Sequence, residues 1–489
     1  MENLLADHQW LSLLPPVLAI GLALLTRQVF LSLAAGIWLG FVILADAHLA
    51  EGTFAAIDGF VNVFSDAGNT RIIIFTLVVG ALIALIQRSG GVEGFVQRLL
   101  GWLEGISAKA GHRGQRKVVE LLAVATGLLL FIESNISILT VGTVYRPVFD
   151  TLDIPREKLA YITDSTASPS CILIPFNAWG AFITGLIAAQ GLTNPFGTLL
   201  SATAFNFYPM LVFAILLFVI LSGKDIGEMK RAELRAASSG DLNRNGAQIM
   251  MADGASDVPT KAGVKPRARF MLLPVLAMVI LMPLFLVMTG SGETALARLQ
   301  DGSGSKSVLY ATSFAVLFAM VLYKSFGVMK IRESFDQSLL GIAAMVPLAI
   351  LMVLAFALGA LCRELGTGQY VADVASQFIS PAVVPAMIFL VACFVAFSTG
   401  TSWGTFAIMI AIAIPLAQSM DANVSLAIAA SLGGGIFGDH CSPTSDTSII
   451  TSMATANDHI DHVRTQIPYA LIGGGITVGL YLILGITGI

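Results

Sequence analysis

Residues 270–288 read FMLLPVLAMVILMPLFLVM, without one charged or hydrogen-bonding side chain. As a helix such a run is about long enough to cross ~30 Å of hydrocarbon, a solvent in which only helices and closed barrels satisfy their own backbone. Comparable runs, such as MLVFAILLFVILSG at 210–223, recur along the whole chain. Hydrophobic residues make up 56% of the 489 and charged residues 12%, about half the charge of a soluble protein. The sequence therefore describes an all-α polytopic membrane protein and argues against a water-soluble enzyme. A net charge of −4 carries no nucleic-acid signature. The acidic opening MENLLADHQW lacks the basic region of a signal peptide, so no cleavage is expected. Cys171, Cys362, Cys393 and Cys441 are widely spaced in or beside apolar segments, which fits neither a disulfide framework nor a zinc pattern.

Spans are expected at 11–26, 28–45, 72–87, 159–188, 199–221, 270–288, 308–323, 339–361, 424–455 and 467–488. Two further apolar segments, 118–149 and 382–418, are too long for one crossing and are interrupted at FIESNIS (131–137) and FSTGTSWG (397–404). A hairpin that enters the membrane and returns on the same side accounts for each. Non-helical backbone at that depth must be buried in protein or line a cavity. Basic residues cluster at Arg27, from Arg98 through Lys109, Arg113 and Arg116 to Lys117, and at Arg146, Arg156 and Lys158. Further clusters stand at both ends of 223–269 and at Lys324, Lys330 and Arg332, while the loops near 46–70, 190–198, 362–381 and 418–423 are acidic or nearly uncharged. With both segments as hairpins, every basic cluster falls on one side, as the positive-inside rule requires. Both termini are then expected outside a cell (inner) membrane.

The layout repeats. Residues 1–222 and 270–489 each hold five transmembrane helices, one re-entrant hairpin (118–149; 382–418) and one broken helix (159–188; 424–455). Segment 223–269, rich in Ala, Ser, Gly, Asp and Arg, reads as a flexible cytoplasmic linker. The first half begins outside and the second inside, so the repeats are inverted, with the two unwound helices at the centre. Echoes in order agree: RSGGVEGFV (88–96) with RELGTGQYV (363–371), LDIP (152–155) with MDAN (420–423), and DSTASP (164–169) with GDHCSP (438–443). Inverted repeats with broken helices mark secondary transporters whose site lies near the midplane.

Asp164 and Asp439 occupy equivalent places in these broken spans, each followed closely by Ser-Pro. Proline removes a backbone donor and interrupts a helix. The freed carbonyls, with the hydroxyls of Ser165, Thr166, Ser168 and Ser442, are expected to surround a small hard cation. A carboxylate at this depth costs roughly 2.5–3.5 kcal/mol on insertion scales, so a cation or a proton normally neutralises it. Asp164 has a cap as its bland alternative, which the repetition at Asp439 weakens; for Asp446 capping and ion binding stand level. Glu133, beside Ser134 and Asn135, marks one hairpin tip, where it serves either the ion or proton path or a salt bridge across the repeats. The other tip offers Ser398, Thr399, Thr401 and Ser402. His440, His459 and His462 are candidates for pH sensing, against the plain reading of 457–466 as a solvated loop. Zinc at His440 and Cys441 is rejected, because adjacent residues cannot easily face one metal and no second such pair exists. An intramembrane aspartyl protease would need a Gly-x-Gly-Asp signature that GIFGD misses by one residue, and a channel would not favour paired unwound helices carrying carboxylates.

At GDHCSPTSDTSIITS (438–452), DHIDHVRTQIPYA (458–470) and TDSTASPSCILIPFNAWGAF (163–182), the chain resembles the NhaC-type sodium/proton antiporters of the ion transporter superfamily. The resemblance covers most of 70–222 and 335–489. It implies two hairpins and two unwound helices around one site, Na+ held at Asp164 and Asp439, a homodimer, no cofactor, and an elevator-like movement of the hairpin-bearing domain. Ser134-Asn135 resembles the hairpin-tip motif of carboxylate transporters in the superfamily, but Ile136 stands where they carry Thr. Relatives that exchange malate, lactate or amino acids keep a sodium- or proton-coupled organic-anion or amino-acid transporter as the alternative. No Arg or Lys lies within ESNIS, TDSTASPS, STGTS or GDHCSPTSD, which weighs against an organic anion, although helix N-termini can also hold one.

Overall fold

Helix is the only repeating backbone structure among the described residues, which in this computed structural model are 8–26, 28–95, 97–98, 112–131, 133–249, 260–291, 293–295, 298, 302–367, 370, 373–374, 380–443 and 445–487. A single isolated bridge joins Ile249 to Asp458. Arg27 and Lys109 of the basic clusters, and residues 250–259 of the connector, lie outside the described residues.

In chain order the first half holds α1 (Leu14–Thr26), α2 (Val29–Leu44), α3 (Leu49–Asn62), α4 (Ala67–Arg88), α5 (His112–Leu129), α6 (Ser134–Thr151), α7 (Arg156–Leu173), α8 (Ala178–Ala189), α9 (Pro195–Thr203) and α10 (Phe207–Ser222). The connector carries α11 (Gly227–Ser239). The second half follows with α12 (Arg269–Thr289), α13 (Gly304–Ser325), α14 (Ile331–Ala344), α15 (Val346–Glu364), α16 (Val384–Thr399), α17 (Ser402–Ser419), α18 (Val424–Cys441), α19 (Asp446–Thr455) and α20 (His459–Thr487).

Polar side chains start these apolar helices by accepting an orphan N–H. The Asp66 carboxylate takes the Asn69 N–H at 2.7 Å, and the amide oxygens of Asn177, Asn194 and Asn423 take those of Gly180, Gly197 and Leu426 at 3.0–3.1 Å. The turn between α16 and α17 needs Gly400, whose φ of 69° lies in the left-handed region. Among the described residues, nine helices are long and apolar enough to cross a membrane, or ten with the bent pair α7–α8 as one span. The protein is thus a multi-pass membrane protein.

Both expected hairpin segments are helix pairs in mutual contact, α5 with α6 and α16 with α17. Pro381–Thr399 and Ser402–Ser419 are also each long and apolar enough to cross alone. At the positions expected for broken spans stand α7–α8, a bent pair that passes as one span, and α18–α19, of which α18 alone is long and apolar enough to cross. The half-helix after each break packs on the hairpin of the other half: α8 against α17, and α19 against α6.

Several boundaries differ from expectation. The loop expected at 46–70 contains α3, whose Leu49, Phe54, Ile57 and Val61 are exposed; its helical apolar spacing is shorter than a span and is missed by a search for spans. The span expected at 199–221 is two helices separated at 204–206, and that at 339–361 extends over α14 and α15. The connector is not structureless in its described part, because α11 turns Met229, Ala232 and Ala236 inward on one helical face.

The two largest of the apolar clusters lie across the bundle. One joins Phe75, Val79 and Leu82 of α4 to Met278 of α12 and Ala315 of α13. The other joins Phe182, Phe356, Phe389 and Ile410 across α8, α15, α16 and α17. In lipid, small residues let backbones approach closely and packing supplies the association energy. Gly80 and Gly341 meet in this way: a Cβ on either would lie 2.2–2.3 Å from the other's carbonyl oxygen.

Candidate functional site

The two breaks are built differently. In the first, the helix was expected to unwind at Pro169, directly after Asp164. Instead α7 runs through Pro169 to Leu173, and the chain unwinds at 174–177 around Pro175, where α7 and α8 diverge by 46°. Hydroxyls back-bond along this helix: Thr166 Oγ1 donates to the Ile162 carbonyl at 2.8 Å and Ser170 Oγ to that of Thr166 at 2.6 Å. Such bonds let a membrane helix carry a proline. Asp164 therefore sits mid-helix rather than beside unwound backbone. Buried Asn177 holds the break open. Its amide nitrogen donates to the carbonyls of Phe131 (2.7 Å), Cys171 (2.8 Å) and Ile174 (3.0 Å), tying it to the tip of the α5–α6 hairpin.

The second break falls where expected, at 442–445, directly after Asp439. Ser442 Oγ donates to the Phe397 carbonyl at 2.6 Å, pinning the break to α16. Ser445 caps α19 by accepting the Ser448 N–H at 3.3 Å, and its hydroxyl donates to Asp439 Oδ1 at 2.8 Å.

Both aspartates are fully buried. The Asp439 Oδ2 faces Ser168 Oγ at 3.4 Å and Ser402 Oγ at 3.5 Å, so hydroxyls from α7, from the start of α17 and from the second break converge on one carboxylate. Asp164 Oδ2 accepts from Gln466 Nε2 at 2.7 Å and Ser448 Oγ at 3.0 Å, and His462 Nε2 stands 3.8 Å away. Ser448 Oγ also lies 3.3 Å from the Asp439 carbonyl oxygen, so one hydroxyl joins the two aspartate positions. Among the described residues, Asp164 Oδ1, Thr163 Oγ1, Ser165 Oγ and Thr451 Oγ1 have no hydrogen-bond partner. Buried oxygen without a donor normally costs ~1–3 kcal/mol, and oxygens of this kind are what a dehydrated small cation takes. No Lys or Arg pairs with either aspartate among the described residues.

The hairpin-tip candidates other than Ser402 lie apart from this centre, whereas Asp446 stands near enough for its charge to act on Asp439. Glu133 caps α6, accepting the Ile136 N–H at 2.9 Å and the Asn135 amide at 3.0 Å, with Ser134 Oγ at 3.5 Å. All three thus serve the hairpin tip. Asp446 is exposed and accepts the adjacent Thr447 N–H at 2.9 Å, a first-turn position that favours a carboxylate. Thr399 Oγ1 donates to the Val395 carbonyl and the Thr401 carbonyl accepts from Thr405, both at 2.8 Å within the hairpin, while Ser398 is half-buried.

The solvated-loop reading of 457–466 is overturned. Helix α20 begins at His459, and His462 is fully buried, because the turn is folded under α19. Ser452 Oγ lies 3.0 Å from His459 Nδ1 and 2.9 Å from His462 Nδ1, while His459 Nε2 donates to the Pro443 carbonyl at 2.8 Å. His440 is buried with Nδ1 3.3 Å from the Tyr208 hydroxyl.

Sequence reasoning missed Asn177, Ser445, Ser448, Ser452 and Gln466. A signal existed for the serines: 445, 448 and 452 recur at helical spacing and make one polar stripe on α19. Gln466 stands four residues after His462, on the same face, and the two side chains meet at 3.1 Å.

Residues 170–486, more than half of the chain, match the sequence profile of the Na+/H+ antiporter family. The chain belongs to this family. Over 97% of its length it is 30% identical to an uncharacterized protein of Haemophilus influenzae, of which it covers 91%. Over 109 residues, 22% of this chain and 23% of the other, it is 28% identical to the malate-2H+/Na+-lactate antiporter of Bacillus subtilis. The crystal structure of the Alcanivorax borkumensis YdaH transporter superposes with a TM-score of 0.56 over 89% of each chain at 13% identity, a likeness of fold. A membrane antiporter of this family is a secondary transporter, and the aspartate centre is its candidate site.

Proposed function

We propose that the protein exchanges Na+ (or Li+) for H+ at a single alternating site formed by Asp164 and Asp439, with Ser168, Ser402, Ser445 and Ser448 completing the oxygen cage. The observation that carries this is two fully buried aspartates, joined through Ser448, without a Lys or Arg partner among the described residues. A carboxylate that is neutralised either by the cation or by the proton, but not by both, enforces exchange. Protons reach Asp164 along His459, Ser452 and His462, a hydrogen-bonded row that starts at a partly exposed ring and ends 3.8 Å from the carboxylate.

The same reading makes the two halves inverted repeats, with α5–α6 and α16–α17 as re-entrant hairpins, both termini outside the inner membrane, and a homodimer whose hairpin-bearing part moves. The order of helix pair, broken span and final span, recurring in both halves, supports it. The likeness to the malate-2H+/Na+-lactate antiporter supports a second reading, Na+- or H+-coupled movement of an organic anion bound at helix N-termini. Proteoliposomes decide: Na+ addition is expected to shift internal pH. Malate or lactate uptake without Na+-dependent proton flux overturns ion exchange.

A further inference from the structure

Two cavities lie near a pair of tyrosines, one lined by them and one walled by a residue hydrogen-bonded to one of them. The larger, about 400 Å3, is walled by Arg116, Lys117, Glu120, Lys158, Asp225 and Glu233. Its ion pairs are short: Lys158 Nζ to Asp225 Oδ1 is 2.6 Å and Arg116 to Glu233 is 2.5 Å. The smaller, about 10 Å3, has mostly apolar walls, with Tyr161, Ser165, Tyr208, His440, Gln466 and Tyr469 among its lining residues, and offers room for one water at most. Two of its polar atoms, Ser165 Oγ and His440 Nε2, are buried without a partner among the described residues. Gln466, on the same wall, donates to Asp164. One hydrogen bond, from Gln466, thus links the wall of the small cavity to Asp164.

Tyr161 and Tyr469 are both buried and stack with ring centroids 4.7 Å apart and planes at 20°. The Tyr469 hydroxyl donates to Asp225 Oδ1 at 3.0 Å and accepts the Ile226 N–H at 3.1 Å, so its tip reaches the wall of the large cavity. Tyr469 therefore lines the small cavity and is hydrogen-bonded to Asp225, a wall residue of the large one.

We propose that the large cavity is an aqueous vestibule for the transported ion, and that the stacked pair Tyr161–Tyr469 is the barrier between it and the site. Acidic Glu120, Asp225 and Glu233 make the vestibule hospitable to cations, while the three basic residues keep its net charge near zero, so ions are passed rather than trapped. This deepens the ion-exchange reading and uses it only for the identity of the solute.

Val212 also lines the small cavity and serves as a reporter. The test is the rate at which Val212→Cys, with Cys171, Cys362, Cys393 and Cys441 replaced by serine, is labelled by a charged methanethiosulfonate. Tyr469→Ala is expected to speed labelling severalfold, while Tyr469→Phe, which keeps the ring, leaves the rate near the parent's. Unchanged labelling in Tyr161→Ala/Tyr469→Ala, with Lys117→Cys still labelled as in the parent, overturns the barrier. Equal acceleration by Tyr469→Phe also overturns it. If the cysteine-free chain does not fold, hydrogen exchange of the α10 amides around Val212 in otherwise native protein reads the same barrier: faster exchange in Tyr469→Ala supports it and unchanged exchange overturns it. Labelling follows the barrier whichever solute is carried, so its failure is distinct from failure of Na+/H+ exchange.

Discussion

At the scale of residues, Asp164 and Asp439 carry the argument, and Asp→Asn separates chemistry from architecture. Asparagine keeps the volume and an acceptor oxygen, so a mere cap survives it with modest loss. Asn neither titrates nor neutralises a cation. Asp164→Asn and Asp439→Asn are each expected to fold, reach the membrane and lose Na+-dependent pH change in proteoliposomes. Asp446→Asn, exposed at the first turn of α19, is expected to retain most of it. Unchanged pH dependence of Na+ transport in Asp439→Asn would move the site elsewhere. Gln466→Met removes the 2.7 Å donor to Asp164 at similar size. A hydrogen bond to a charged group contributes about 1.5–3 kcal/mol, roughly ten- to a hundredfold, and that loss is expected in the apparent Na+ affinity. Wild-type affinity in Gln466→Met would show that the amide is dispensable. The aspartates were legible because a charge inside an apolar run stands out by itself. Gln466 was not, since a glutamine near a helix start is ordinary until the fold brings it 302 positions back along the chain to Asp164.

At the scale of elements, the connector is fastened to α7 and to the start of α20. Arg235 Nη2 reaches both Glu157 carboxylate oxygens at 2.9 Å, and Arg244 Nε reaches Asp461 at 2.9–3.0 Å. The Lys158–Asp225 pair, on the wall of the large cavity, is largely covered by protein. Removing one partner of a buried pair costs about 3–5 kcal/mol, so Asp225→Asn is expected to lower the melting temperature of the purified protein clearly; an unchanged melting curve would refute that attachment. Asp458 sets a pH limit. Burial pushes its carboxyl up, but the N–H groups of Gln248, Asp461 and Ile460 donate to it and, with Arg244 nearby, hold it below the ordinary value of 3.8. A lowered folded-state pKa stabilises above the unfolded value and is lost as pH falls through the folded one. Amide exchange at Gln248 is therefore expected to stay slow at neutral and mildly acidic pH and to accelerate only below the ordinary aspartate range; acceleration near pH 6 would assign the attachment to another group. Composition made 223–269 look flexible because its anchors are single charges whose partners lie on distant helices.

At the scale of the whole molecule, the proposed inverted repeat makes a sidedness prediction. Single cysteines placed near Arg146 are expected to label from the cytoplasm and those near Gln418 from outside. Labelling of both from one side would break the inversion and the equivalence of Asp164 with Asp439. The crossed packing of α8 on α17 and of α19 on α6 means that neither half closes the site alone. Movement of one hairpin is then expected to open or close the other half's break.

What the sequence determined by itself was the part that lipid imposes on long segments: which long apolar runs are helical, that some of them are interrupted, and that carboxylates inside them need a neutralising partner. Those follow from a solvent that cannot hydrogen-bond, so each segment declares itself. Only the tertiary structure decided that Pro169 is carried within α7 while Pro175 marks the break, that His462 is buried under α19, and that Ser448 joins the two aspartate positions. These depend on which helix lies alongside, because a neighbouring hydroxyl or amide satisfies a freed or buried group only from across the bundle.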